Sequence, residues 1–195
     1  MEKPHIPHSE FRQRIEKMRA WMHSHGIGLL FVYGDEYRKE NLRYVSNYWP
    51  MFERGALLIG TEGDPVLLCA PEGEQVAREM SVWPDIRLVP DFLCATVPDA
   101  IDYPLATYTD FPSLAAEFRF RQGTVGAFGV IGLDAMTHPL YETLVRAFGS
   151  VPVDCNPLIH QLRLTKSAHE IACLGEAARI ADHAFRKLME APLIG

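Results

Sequence analysis

The stretch that most constrains the fold is Gly55–Ala70, GALLIGTEGDPVLLCA. Two apolar runs flank Thr61-Glu62-Gly63-Asp64, a polar tetrad with a glycine in it, and that pattern predicts two strands folded back as an antiparallel hairpin. Upstream, GLLFVYG (28–34) is a short continuous apolar run, which fits a strand buried on both faces. A sheet buried on both faces needs helices above and below it, and helical patterns alternate with the strand patterns along the chain. Phe11, Ile15, Met18 and Met22 recur at helical spacing, with Ser9 placed to cap the helix and Gly26 to end it.

Further elements follow in the same style. A helix is expected at about 72–81, a strand at DIRLVPD (85–91), a short helix near 113–119, a strand at TVGAFGV (124–130), a helix at THPLYETLVRAFG (137–149), and a strand at VPVDC (151–155). Asn156-Pro157 starts another helix. ENLRYVSNYWPMFERG (40–55) is rich in aromatics without a clear period, and residues 92–112 read as an irregular, proline-interrupted connection. The fold class is α/β: a mixed β-sheet with an antiparallel hairpin, helices on both faces, and a C-terminal helix.

Charge and composition exclude several functions. The formal net charge is −6, from 19 Lys and Arg against 25 Asp and Glu, and the basic residues are scattered. Neither a nucleic-acid groove nor a cationic membrane face is expected. The polar start MEKPHIPHSEFRQR lacks the apolar core of a signal peptide, and no apolar run approaches the roughly 18 residues of a membrane span. Cys69, Cys94, Cys155 and Cys173 are far apart, which favours reduced thiols and a cytoplasmic location over a disulfide framework.

No catalytic motif stands out. Gly123, Gly126, Gly129 and Gly132 recur every third residue, but this is not a dinucleotide-binding pattern, and glycines that let a strand pack closely are the better reading. The pairs His5/His8 and His23/His25 lack accompanying carboxylates, so no metal ligands are expected in this chain. Asp134 fits a turn better than a catalytic role, and His138 and His160 fit helix starts or the surface.

The C-terminal segment is more specific. Ser167-Ala-His-Glu170 has the form of a capping box. Ile171, Leu174, Ala178, Ala181, Phe185 and Leu188 then make one apolar stripe on a helix of about 20 residues. The four large members would contribute roughly 6–12 kcal/mol if fully buried, so the stripe needs a partner surface.

These residues carry a resemblance. Arg163, Lys166, Ser167, Glu170 and Ile171 match the R-x-x-K-S-x-x-E-I junction of creatinase, prolidase and Xaa-Pro aminopeptidase relatives, where an N-terminal domain meets the first helix of a pita-bread catalytic domain. The segment 40–69 resembles the part of that N-terminal domain where N-x-x-Y-x-(S/T)-x-(Y/F) precedes a hairpin. The resemblance implies an N-terminal domain at 1–162, and a junction with the first catalytic-domain helix at 163–195. It implies that the complete enzyme uses two divalent metal ions (Mn, Co or Zn), held by two aspartates, a histidine and two glutamates in the catalytic domain. None of those five maps onto this chain, which is expected to be inactive alone. It further implies a homodimer, and a role for this domain in the substrate entrance. Tyr48, Trp49, Phe52 and Arg54 are the candidates there, because aromatics beside one arginine suit a small substrate carrying a carboxylate. The alternative is a free-standing small-molecule-binding or oligomerisation module.

Overall fold

The computed structural model describes residues 3–93, 107–122 and 126–190. Six strands form one mixed sheet: β1 (Ile27–Asp35), β2 (Arg54–Gly60), β3 (Val66–Cys69), β4 (Ile86–Leu88), β5 (Ala127–Ile131) and β6 (Val153–Asp154), in the spatial order β4-β3-β2-β1-β5-β6. The hairpin is β2–β3, antiparallel with Leu57 opposite Leu67. β1 pairs antiparallel with β2 and parallel with β5, while β3–β4 and β5–β6 are parallel.

Alternation along the central strands divides the core into two layers. Leu30 and Val32 of β1 and Leu57 and Ile59 of β2 face one side, where they meet Phe11, Ile15, Met18 and Met22 of α1 (His8–Ser24). Leu42 and Val45 of α2 (Glu40–Ser46), Ala77 of α3 (Glu74–Met80), and Leu158 and Ile159 of α6 (Asn156–Leu164) complete that layer. Leu29, Phe31 and Tyr33 of β1 face the other side and pack on Phe111, Leu114 and Phe118 of α4 (Phe111–Gln122) and on Leu140, Leu144 and Phe148 of α5 (His138–Phe148). The expected α/β class, with helices on both faces, is the observed one.

Several local expectations are corrected. Ser9 does not cap α1: the helix begins at His8, so Ser9 lies within its first turn, and the N-cap is Pro7, whose side chain has no oxygen to accept a hydrogen bond. The helix expected at 72–81 is a 3-10 turn over Pro71–Gly73 followed by α3. The stretch at 40–55 contains α2, whose seven residues are too few to display a period. The helix near 113–119 is longer, and His160 is exposed on α6, the surface place expected for it. Of the recurrent glycines, Gly123 lies outside the described residues, as does Cys94. A Cβ on Gly126 would come within 2.6 Å of the Gly26 carbonyl oxygen, and one on Gly129 within 2.7 Å of Cys155 Sγ, so these glycines permit close strand packing. Cys69 and Cys155 are buried free thiols, and Cys173 is a half-buried one. Asp134 accepts a hydrogen bond from Asn156 Nδ2 at 2.9 Å and pairs with Arg38, in keeping with its place in a turn.

The last helix, α7 (Ala168–Glu190), buries no residue. Its capping box forms: the Glu170 amide donates to Ser167 Oγ at 3.0 Å, and the Ser167 amide donates to Glu170 Oε2 at 2.8 Å. Ile171, Leu174, Phe185 and Leu188 are all more than half exposed. No described helix is long and apolar enough to cross a membrane.

Candidate functional site

The candidate residues sit on the segment between α2 and β2. Asn47, at φ +63°, ends α2 in the left-handed conformation, and its side-chain amide donates to the Met80 carbonyl at 2.9 Å. The chain then turns through Tyr48–Glu53 before entering β2. Glu53 organises this turn. It is 2% exposed and accepts three hydrogen bonds: from the Tyr48 hydroxyl at 2.5 Å, the Met51 amide at 3.1 Å and the Phe52 amide at 3.0 Å. Gly73 makes room for it, because a Cβ there would run into Glu53 Oε1. Burial, and then the bond to Glu53, push the Tyr48 phenol well above the usual tyrosine range. Tyr48 therefore lies in the core, as an internal support of the turn.

The other candidates are dispersed around this anchor. Phe52 is 45% exposed. Arg54 is half-buried at the start of β2, opposite Asp35 of β1, and contacts the Tyr33 hydroxyl. Burial first, then the Asp35 charge, push Tyr33 up to about 12, with Arg54 acting against them. Trp49 faces elsewhere: the Arg43 guanidinium lies 3.9 Å from its ring centre and Lys39 Nζ lies 5.9 Å away. A cavity of about 350 Å³ opens here, lined by Lys39, Glu40, Arg43, Trp49 and Met51. Of the four candidates, only Trp49 lines it.

The two segments that carried the resemblance meet in space. Arg163 donates to Asn41 Oδ1 at 2.6 Å, and the Tyr44 hydroxyl donates to the Leu162 carbonyl at 3.3 Å. Arg14 of α1 is the second connection. Its guanidinium is nearly buried, stacks 4.0 Å from the Tyr44 ring centre and donates to the Tyr44 carbonyl at 2.7 Å. It also pairs with Glu10 at 2.5 Å and Glu170 at 3.4 Å. Glu10 in turn accepts from Ser167 Oγ at 2.9 Å and contacts His169 Nδ1 at 2.9 Å. Burial raises the Glu10 pKa, but the bonds from Ser167, Arg14 and His169 more than reverse that and leave it below the ordinary value. The start of α7 is thus held by side chains of α1, since α7 itself buries nothing.

Sequence reasoning missed Glu53, Arg43 and the Glu10–Arg14 clamp. A lone acid inside an aromatic run, immediately before a buried strand, was the available signal for Glu53. Among the described residues, no group of three or more His, Cys, Asp or Glu is arranged to hold a metal ion.

Residues 14–165 match the Creatinase/Prolidase N-terminal domain. The chain belongs to that family. The domain superposes on the prolidase from Pyrococcus horikoshii OT3 with a TM-score of 0.63 at 16% identity, over 92% of this chain and 43% of that one. The Xaa-Pro dipeptidase from Bacillus anthracis gives a TM-score of 0.63 at 21% identity, again over 92% and 43%. The Xaa-Pro aminopeptidase structure from Streptococcus thermophilus gives 0.53 at 15% identity, over 80% of this chain and 99% of that one. At these identities the likeness is one of fold. The chain spans 43% of the length of the first two. No curated protein matches it at a significant level.

Proposed function

We propose that this chain is the non-catalytic N-terminal domain of a metal-dependent Xaa-Pro peptidase, prolidase or creatinase-like hydrolase, acting in the cytoplasm as a homodimer. The observation that carries the reading is the family match, which ends at residue 165, just before α7 begins with its exposed apolar stripe. In this reading 1–162 is the domain proper and 163–195 the junction. Ile171, Leu174, Phe185 and Leu188 seat against a pita-bread catalytic domain, and the Glu10–Arg14 clamp sets the angle at which α7 leaves. The catalytic domain supplies the two metal ions and their ligands. Phe52 and Arg54 border the substrate entrance, and Tyr48 with Glu53 holds their turn in shape.

The test compares this chain with any longer product of its reading frame that carries the catalytic domain. Xaa-Pro dipeptides, longer Xaa-Pro peptides and creatine are assayed with Mn²⁺ or Co²⁺ supplied. Activity is expected only in the longer product, where Arg54→Ala lowers kcat/KM by roughly tenfold, the loss of one charge-assisted contact. Hydrolysis by the 195-residue chain alone, or one tightly held divalent ion per chain after dialysis, refutes the reading.

A further inference from the structure

We propose that Lys39, Arg43 and Trp49 form a binding site for a small organic monocarboxylate, independent of the entrance role suggested above. Lys39 and Arg43 lie one helical turn apart, so both cations reach the same indole, at 5.9 and 3.9 Å from its centre. Several other arginines are satisfied by acids, Arg12 by Asp64, Arg14 by Glu10, Arg78 by Glu74, and Arg87 by Asp85 and Glu117, while Arg163 donates to the Asn41 side chain instead. Arg43 and Lys39 have no acidic partner among the described residues. A guanidinium over an aromatic ring still has N–H groups to donate to a carboxylate.

The cavity walls narrow the ligand further. Its volume of about 350 Å³ is near the lower end of small-molecule sites, which run roughly 300–1,000 Å³. Trp49 and the exposed Met51 offer apolar surface for the body of the molecule. Glu40 also lines the cavity. Two cations and one carboxylate leave a single net positive charge, which one monocarboxylate neutralises, and the apolar surface of Trp49 and Met51, which a phosphate cannot use, favours an organic carboxylate. The whole site comes from one short helix and the turn after it, within the region Glu53 braces.

The experiment titrates the isotope-labelled 195-residue chain with benzoate, with its neutral isostere benzamide, and with inorganic phosphate, and follows the Trp49 indole N–H and the Arg43 side chain by NMR. Saturable shifts with benzoate are expected at these two groups, with the Trp21 and Trp83 indoles unmoved. Benzamide should bind at least about tenfold more weakly, and Arg43→Gln should raise the benzoate Kd by roughly tenfold. Lys39→Gln serves as the second variant should Arg43→Gln fail to fold. Benzamide binding as well as benzoate, an unchanged Kd in a folded variant, or phosphate binding without benzoate binding would each overturn the proposal.

Discussion

Replacing Glu53 by alanine strips three donors of their acceptor at once: the Tyr48 hydroxyl and the Met51 and Phe52 amides. The three losses are unequal. Tyr48 is 0% exposed, so its hydroxyl has no water to turn to, whereas Met51 and Phe52 are 57% and 45% exposed and their amides can be rehydrated. An orphaned buried donor costs about 1–3 kcal/mol. With the residual loss at the two amides and the space left by the carboxylate, the total comes to about 2–4 kcal/mol. For a chain of this size that lowers Tm by roughly 4–16 °C. The assay is thermal and urea denaturation of wild type, Glu53→Ala, Tyr48→Phe and the double variant. Tyr48→Phe removes the orphan, so the double variant should lose less than the sum of the singles, with a coupling of about 1–3 kcal/mol. Hydrogen exchange at the Met51 and Phe52 amides should also quicken in Glu53→Ala. A change within about 0.5 kcal/mol, or strict additivity, would refute the view that Glu53 holds the turn.

The Glu10 clamp gives a pH signature. The folded-state pKa of Glu10 is depressed, so its contribution is present above the ordinary value of 4.5 and is lost as pH falls through the folded value. Glu10→Gln should cost about 1–3 kcal/mol at neutral pH, and the gap between its stability and that of wild type should narrow as pH falls below 4.5; a pH-independent gap would contradict this. On α7, Leu174→Glu with Phe185→Glu should turn a self-associating 195-residue chain into a monomer with the α/β body intact, as read by light scattering. A wild-type monomer with slow amide exchange over 171–188 would instead show α7 packed on its own domain. Gly129→Ala, whose Cβ would meet Cys155 Sγ at 2.7 Å, should destabilise by about 1–3 kcal/mol. Adding Cys155→Ala should recover part of that loss, and no recovery would place the strain elsewhere.

Much of the architecture is legible in the chain because it rests on local periodicity. The hairpin around Gly63, the doubly buried run 28–34, the Phe11–Met22 stripe and the Ser167–Glu170 capping box each depend on residues close in sequence, whose spacing is dictated by strand or helix geometry. The apolar face of α7 is legible for the same reason.

The site was decided otherwise. Four aromatic and basic residues between 48 and 54 read as one cluster, yet tertiary packing sends Tyr48 into the core, leaves Phe52 at the surface, sets Arg54 beside Tyr33, and pairs Trp49 with Arg43. The clamp joins Glu10 to Ser167, and Arg163 reaches Asn41, across more than a hundred residues. No period links such positions. Which polar groups meet depends on which donors burial has cut off from water, and that is settled only when the two faces of the sheet have been covered.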